Sequence, residues 1–269
     1  AASNWSSGEV GRTAAGWEEV GWEEALSEAA QRLAAIQNAH GKNAVAVYQG
    51  NPVVHNHGAL LFGQVLLKSL GSRSRFSATS VDQLPQMLAS LLMFGHQLLL
   101  PIPDIDRTDF LLILGANPLA SNGSLMTAPG VEKRLRAIQA RGGRIVVVDP
   151  RRSETAAIAD RHLPIRPGAD ALLLAALLHT LFEDGLARAG RLSEFTDGLH
   201  VLADAVKPFP AEAVADPTGI PATAIRELAR DFAAAPTAVA YGRVGVCTQE
   251  FGGLASWLVN ALNLMTGNL

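Results

Sequence analysis

A single cysteine, Cys247, occurs in 269 residues. That excludes an internal disulfide framework and an iron–sulfur cluster held by four thiolates of this chain, and it suits a reducing, cytoplasmic compartment. Charge is also sparse: Asp, Glu, Lys and Arg make up 17% of the residues and the formal net charge is −3. Such a chain lacks the basic excess that nucleic acid or an anionic membrane surface attracts. Long apolar runs are missing too. The longest, residues 171–178, is far too short to span a bilayer, and the apolar stretch 84–103 is broken by Gln86, His96, Gln97 and three prolines. Residues 1–20 are polar and Gly-rich, with no signal-peptide layout, and are expected to form a tail. No internal repeat or low-complexity segment is visible. Hydrophobic residues nevertheless reach 48%, so a large core with buried strands is expected.

Periodicity fills in the architecture. Trp22, Leu26, Ala29, Leu33 and Ile36 recur at helical spacing and predict a helix over 22–39. A buried strand is expected at 44–48, a helix at 57–69, a Ser/Arg-rich loop at 72–82 and a helix at 83–95. Apolar strands at 109–114 and 145–148 bracket a helix at 128–141, and a short strand is expected at 161–166. A Leu/Ala helix runs from Asp170, placed to act as its N-cap, to Asp184. After a variable region of helix and loop over 186–218, a helix opens at Pro221, a strand follows at 237–241, and a helix covers 252–265. This alternation predicts an α/β fold, mainly parallel sheets with helices on both faces.

Each central strand ends in small, polar and cationic residues: Gly115-Ala-Asn117-Pro118 with Ser121 and Asn122; Asp149-Pro-Arg151-Arg152; and Arg166-Pro-Gly168-Ala-Asp170. Open parallel sheets bind nucleotides at that edge, where helix N-termini and free N–H groups converge. The first loop lacks the Gly-x-Gly-x-x-Gly turn, which argues against an ordinary NAD-binding protein. Read locally, Asn117 bonds a nucleotide or pins the turn, Asp149 accepts from guanine or ribose or caps a helix, and one of the two arginines is a solvated surface charge.

In order and spacing, these motifs together with residues 155–160 resemble the molybdopterin oxidoreductases, a family that includes formate dehydrogenases, nitrate reductases and dimethyl sulfoxide reductases. The resemblance covers residues 20–269. It implies two pterin-binding α/β domains: a Rossmann-like domain over 108–235, inserted into another formed by 21–107 and 236–269. It implies bis-molybdopterin guanine dinucleotide with molybdenum or tungsten, and two-electron redox or oxygen-atom transfer on a small substrate. Cofactor contacts are then expected at Gly115, Asn117, Pro118, Ser121, Asn122, Asp149, Arg151, Arg152, Arg166, Gly168 and Asp170. The loop with Gly242, Arg243, Gly245 and Gln249 resembles the one that meets the second dinucleotide.

The loop over 75–82 lies where relatives supply the ligand to the metal. Ser77 is the first choice by register, with Ser80 and Asp82 as alternatives; oxygen ligands suit a hard, high-valent metal. A polar loop with helix-capping residues is the competing reading. His55, with His57 two positions on, is a catalytic candidate because histidine changes charge near neutral pH, although no third ligand is spaced for zinc. Cys247 reads as a small structural residue. The family's N-terminal domain, which often carries an iron–sulfur cluster, and its C-terminal domain find no match. The chain is therefore expected to be a fragment that is inactive alone, working with those domains or subunits and an electron-transfer subunit. The alternatives are a scaffold module that has lost the cofactor and a generic nucleotide-binding α/β protein.

Overall fold

The computed structural model describes residues 8–13, 16–50, 53, 56–126 and 128–269. Two compact units result, residues 1–78 and residues 79–269. Among the described residues no helix is long and apolar enough to cross a membrane.

In the first unit, β1 (Gly8–Thr13) and β2 (Gly16–Gly21) pair antiparallel where the sequence pattern suggested only a tail. Helix α1 (Trp22–His40) ends where Gly41 turns to φ 85°. A 3-10 turn at Lys42–Ala44 takes the first residue of the expected strand, and β3 is Val47–Gln49. Helix α2 (His57–Leu70) is capped by Asn56, whose side chain accepts from the Ala59 N–H, and closed by left-handed Gly71. Strand β4 (Arg75–Ser77) then pairs parallel with β3, so part of the expected 72–82 loop is a strand. Its entry is fixed by Ser72, whose hydroxyl donates to the Val45 carbonyl at 2.6 Å.

The second unit opens with the short α3 (Thr79–Asp82), again within the expected loop, and α4 (Leu84–Phe94). Strand β5 (Phe110–Leu114) leads through α5 (Pro118–Ser121) and α6 (Val131–Ala140) to β6 (Arg144–Val148). After α7 (Glu154–Ile158), β7 (Arg161–Leu163) and α8 (Asp170–Glu183), the expected region of helix and loop holds α9 (Leu199–Val206) and α10 (Ala211–Thr218). Last come α11 (Ala222–Ala234), β8 (Ala238–Gly242), α12 (Val244–Cys247) and α13 (Gly252–Met265).

Strands β7-β6-β5-β8 form one sheet with every pairing parallel. Alternation along the strands sends successive residues to opposite faces. Leu112, Leu114, Val146 and Val148 join the core built with α8, α11 and α13, while Leu111, Ile113, Ile145 and Val147 join the core built with α6. Both faces are thus covered, as a parallel sheet requires. Ten of the fourteen residues of α8 are buried, which explains its nearly pure Leu/Ala composition. Phe110 meets Phe232 of α11 edge to face at 5.7 Å, and Arg226 of α11 bridges Glu183 and Glu212 on α8 and α10.

Residues 238–265 lie in the second unit, where β8 pairs with β5 over five residues and α13 packs on α4, α8 and β8. The apolar run 238–241 completes the sheet begun by 110–114, a long-range pairing that has no local signature.

Candidate functional site

Parallel pairing brings the C-terminal ends of all four strands to one edge. The chain leaves β5 toward β6 and β7, then returns to place β8 on the other side of β5. Such a reversal opens a crevice between the two diverging loops. Here that crevice lies between the loops after β5 and β8, which touch backbone to backbone. Gly115, at φ +52°, accepts at its carbonyl from the Gly245 N–H at 2.9 Å. A Cβ on Gly115 would lie 2.7 Å from the Val246 nitrogen, and one on Gly245 would lie 2.7 Å from the Gly115 Cα. Only glycine fits either position. Gly242 is tight as well, with Val246 and Val259 methyls at 3.2 and 3.3 Å from a built Cβ.

Beside this contact sits a cavity of ≈ 280 Å³ lined by Gly115, Asn117, Pro118, Ser121, Tyr241 and Arg243, among others. Arg243 is 8% exposed. Its Nη1 donates to Gln86 Oε1 at 2.7 Å, while its Nε has no partner among the described residues. No carboxylate forms an ion pair with it among the described residues. A buried guanidinium without a counter-charge is costly, so this cavity wall favours an anion. Gln86 lies 157 positions away, and sequence reading missed it. Burial also pushes the Tyr241 hydroxyl up to about 12.

Asn117 pins its turn. Its Oδ1 accepts from the Thr155 N–H and hydroxyl at 3.2 and 2.7 Å, and its Nδ2 donates to Glu154 at 2.6 Å. The loops after β5 and β6 are therefore locked together. Asn122 closes α5 in the left-handed region at φ 52°, and lines a separate hollow with Lys133 and Arg136.

Asp149 does not cap α7; Ser153 does, accepting from the Ala156 N–H. Asp149 instead accepts from the Arg151 N–H at 2.8 Å, and its carbonyl meets His162 Nε2 at 2.8 Å. Arg151 and Arg152 are exposed, the former 3.6 Å from Glu154. Arg166 is exposed and turned toward Asp216, donating to its carbonyl at 2.7 Å, while Gly168 turns at φ +85°.

Asp170 departs from its expected capping role. Ala169 holds the N-cap position, and Asp170 is the first helical residue, 5% exposed. Burial raises its pKa, opposed by a hydrogen bond from Gln249 Nε2 at 2.9 Å; the Asp149 charge adds to the rise. Gln249 Nε2 also donates to the Gly245 carbonyl, tying the loops after β7 and β8, and its Oε1 is buried without a partner.

Ser77 closes β4 in the first unit. Ser80 and Asp82 lie on α3, which packs on α12 within the second unit. Burial pushes the Cys247 thiol up, with a smaller push from Asp82; the thiol's neighbour is the Ser256 hydroxyl at 3.6 Å. His55 lies outside the described residues, and His57 is the exposed first residue of α2.

A family model described as molybdopterin oxidoreductase matches residues 11–269. Formate dehydrogenase H of Escherichia coli (strain K12) is 30% identical over 254 residues, 94% of this chain and 34% of that protein. The thiosulfate reductase molybdopterin-containing subunit PhsA of Salmonella typhimurium is 30% identical over 260 residues, 94% of this chain and 32% of that protein. The chain thus spans about a third of the length of these relatives. Among solved structures, acetylene hydratase from Pelobacter acetylenicus superposes with a TM-score of 0.74 at 22% identity, over 99% of this chain and 36% of that one. That likeness establishes the shared fold.

Proposed function

Since the chain belongs to the molybdopterin oxidoreductase family, we propose that the C-terminal edge of its four-stranded sheet grips a pterin–guanine dinucleotide carrying molybdenum or tungsten. In this reading the chain is a cofactor-binding portion of an enzyme performing two-electron redox or oxygen-atom transfer on a small substrate. The observation that carries it is Arg243, a buried guanidinium on the wall of the β5–β8 crevice with no carboxylate among the described residues to neutralise it. The anionic phosphates of a dinucleotide match that unmet charge. Asp149 and Asp170 present carboxylates to the N–H edge of guanine. Gly115 lets the backbone approach closely, and Gly168 leaves open space.

The loop over 242–249 is assigned to the second dinucleotide of a bis-pterin arrangement. Ser77 is the first candidate to ligate the metal, with Ser80 and Asp82 as alternatives. When bound, the group supplies a metal centre that changes oxidation state as oxygen, or a proton and electrons, leaves or reaches the substrate. The chain's own residues bind and orient it and set its electrostatics. Further domains or subunits complete the enclosure, and an electron-transfer subunit takes the electrons. Without them this chain holds the cofactor loosely.

The test is cofactor recovery. The chain, co-produced with the domains or subunits that complete the enclosure, and its Arg243→Ala and Asp149→Ala variants are purified from a host that makes the cofactor, and pterin fluorescence and metal are measured after denaturation. Both variants are expected to fold and to carry several-fold less than the parent chain. Equal recovery in all three would overturn the assignment.

A further inference from the structure

Helix α4 reaches the β5–β8 crevice through one side chain. Gln86 stands in the first turn of α4, and its Oε1 accepts from Arg243 Nη1 at 2.7 Å. A guanidinium as buried as Arg243 calls for a counter-charge. Its own surroundings supply none. The Arg243 charge acts on the Tyr241 hydroxyl and the Cys247 thiol, but burial pushes both up, so both are neutral at pH 7. Asp82, whose charge reaches Cys247, forms no ion pair with Arg243 among the described residues. The polar contact that remains is an uncharged amide.

Amide and carboxylate at position 86 would have opposite consequences. A glutamate has the same reach. It would form a charge-assisted bond with the guanidinium, and it would suit the first turn of a helix, where α4 has no acidic residue. The fold would gain, and the positive charge would be cancelled. Glutamine accepts the same hydrogen bond without adding a charge. Because the guanidinium is planar, one fixed Nη1–H bond restrains the plane of the whole group and the directions of its other donors.

We infer that Gln86 is a positioning residue: its neutral side chain orients the Arg243 guanidinium at the crevice wall and preserves its charge for a phosphate group bound there. The inference rests on the phosphate reading of that crevice and adds to it the residue that aims the cation.

The probe is inorganic pyrophosphate, titrated into the whole chain. Amide NMR shifts of residues 115–117 and 242–245 give its affinity, and denaturant unfolding without pyrophosphate gives stability. Gln86→Glu is expected to weaken pyrophosphate about tenfold while unfolding at the same or a higher denaturant midpoint than the parent chain. Gln86→Met, similar in length but without the acceptor, is expected to weaken pyrophosphate several-fold by letting the guanidinium turn. A side chain with only a structural role would behave otherwise, because affinity would then follow stability and Gln86→Glu would bind at least as well as the parent. Affinity equal to the parent's in Gln86→Glu, or in Gln86→Met, would overturn the inference, and either variant decides should the other fail to fold. Arg243→Met separates this result from the reading beneath it. If Arg243→Met weakens pyrophosphate and the Gln86 variants do not, the crevice binds phosphate and only the role of Gln86 is wrong. If Arg243→Met binds as the parent does, or no signal moves in the parent, the phosphate reading fails and the inference falls with it.

Discussion

Strands β5 and β6 in the second unit are buried almost end to end, whereas β3 and β4 in the first unit leave Tyr48 69% and Phe76 57% exposed. Both pairs are parallel. Their surroundings differ: four strands are sandwiched by helices in one unit, while two short strands stand with α1, which buries no residue, and α2, which buries only Leu67, in the other. Apolar composition alone therefore does not make a core. A parallel strand becomes one only when both its faces are covered. Leu61, Phe62, Val65 and Leu66 on α2 show the consequence, an apolar helix face left in the open.

The sharpest contrast is between equivalent truncations. Leu112→Ala should destabilise the second unit by about 3–5 kcal/mol, since a fully buried leucine leaves a cavity. Leu61→Ala, at an exposed position, should change stability by less than about 0.5 kcal/mol. Denaturant unfolding checks both, and similar losses would dissolve the distinction between the units. A second pair uses glycines. Gly245→Ala forces a Cβ against Gly115 and should cost about 1–3 kcal/mol, while Gly21→Ala, with nothing within 4 Å of the added Cβ and an ordinary φ of −73°, should cost less than about 1 kcal/mol, the loss of glycine at the α1 N-cap. The same titrations read this out.

Asn117→Ala should cost about 1–2 kcal/mol, because it strands Thr155 and Glu154 and unties two loops. Asn56→Ala in the first unit removes a helix cap and should cost about 1 kcal/mol. A loss at Asn56 exceeding that at Asn117 would mean the loops at the sheet edge are held by something else.

The smallest effect concerns pH. Burial raises the Asp170 pKa in the folded state. Below the ordinary carboxylate pKa both states are protonated and no penalty arises. As pH rises, the unfolded chain ionises first, so stability falls until the folded carboxyl has also ionised. Asp170 therefore costs stability at neutral pH. Asp170→Asn should raise the unfolding midpoint at pH 7 and flatten its decline just above pH 4. Melting curves across that range check it, and a lower midpoint at pH 7 would contradict the sign.

Much of the second unit was legible because its signals are local. Gly142-Gly143, Gly168 and Gly267 mark breaks between periodic runs, and the Leu/Ala run at 170–183 announces a doubly buried helix. What escaped was long-range. Nothing near 238–242 says that it pairs with 110–114, and nothing near Gln86 points to Arg243. Asp170 reads as a cap from its neighbours; its burial depends on Gln249, 79 positions away. The antiparallel pair 8–13 and 16–21 and the strand at 75–77 lack apolar alternation, so their pairing rests on the backbone and left no pattern to read.

On the proposed function, the edge after β5, β6 and β7 recognises a guanine nucleotide. Amide NMR shifts of the whole chain, recorded with GDP and then with ADP, test it directly and register weak binding. The account predicts that GDP moves signals from residues 115–122, 149–153 and 166–170, that ADP at equal concentration moves them far less, and that Asp149→Ala removes the difference. Equal responses to GDP and ADP, or shifts confined to other parts of the chain, would contradict it.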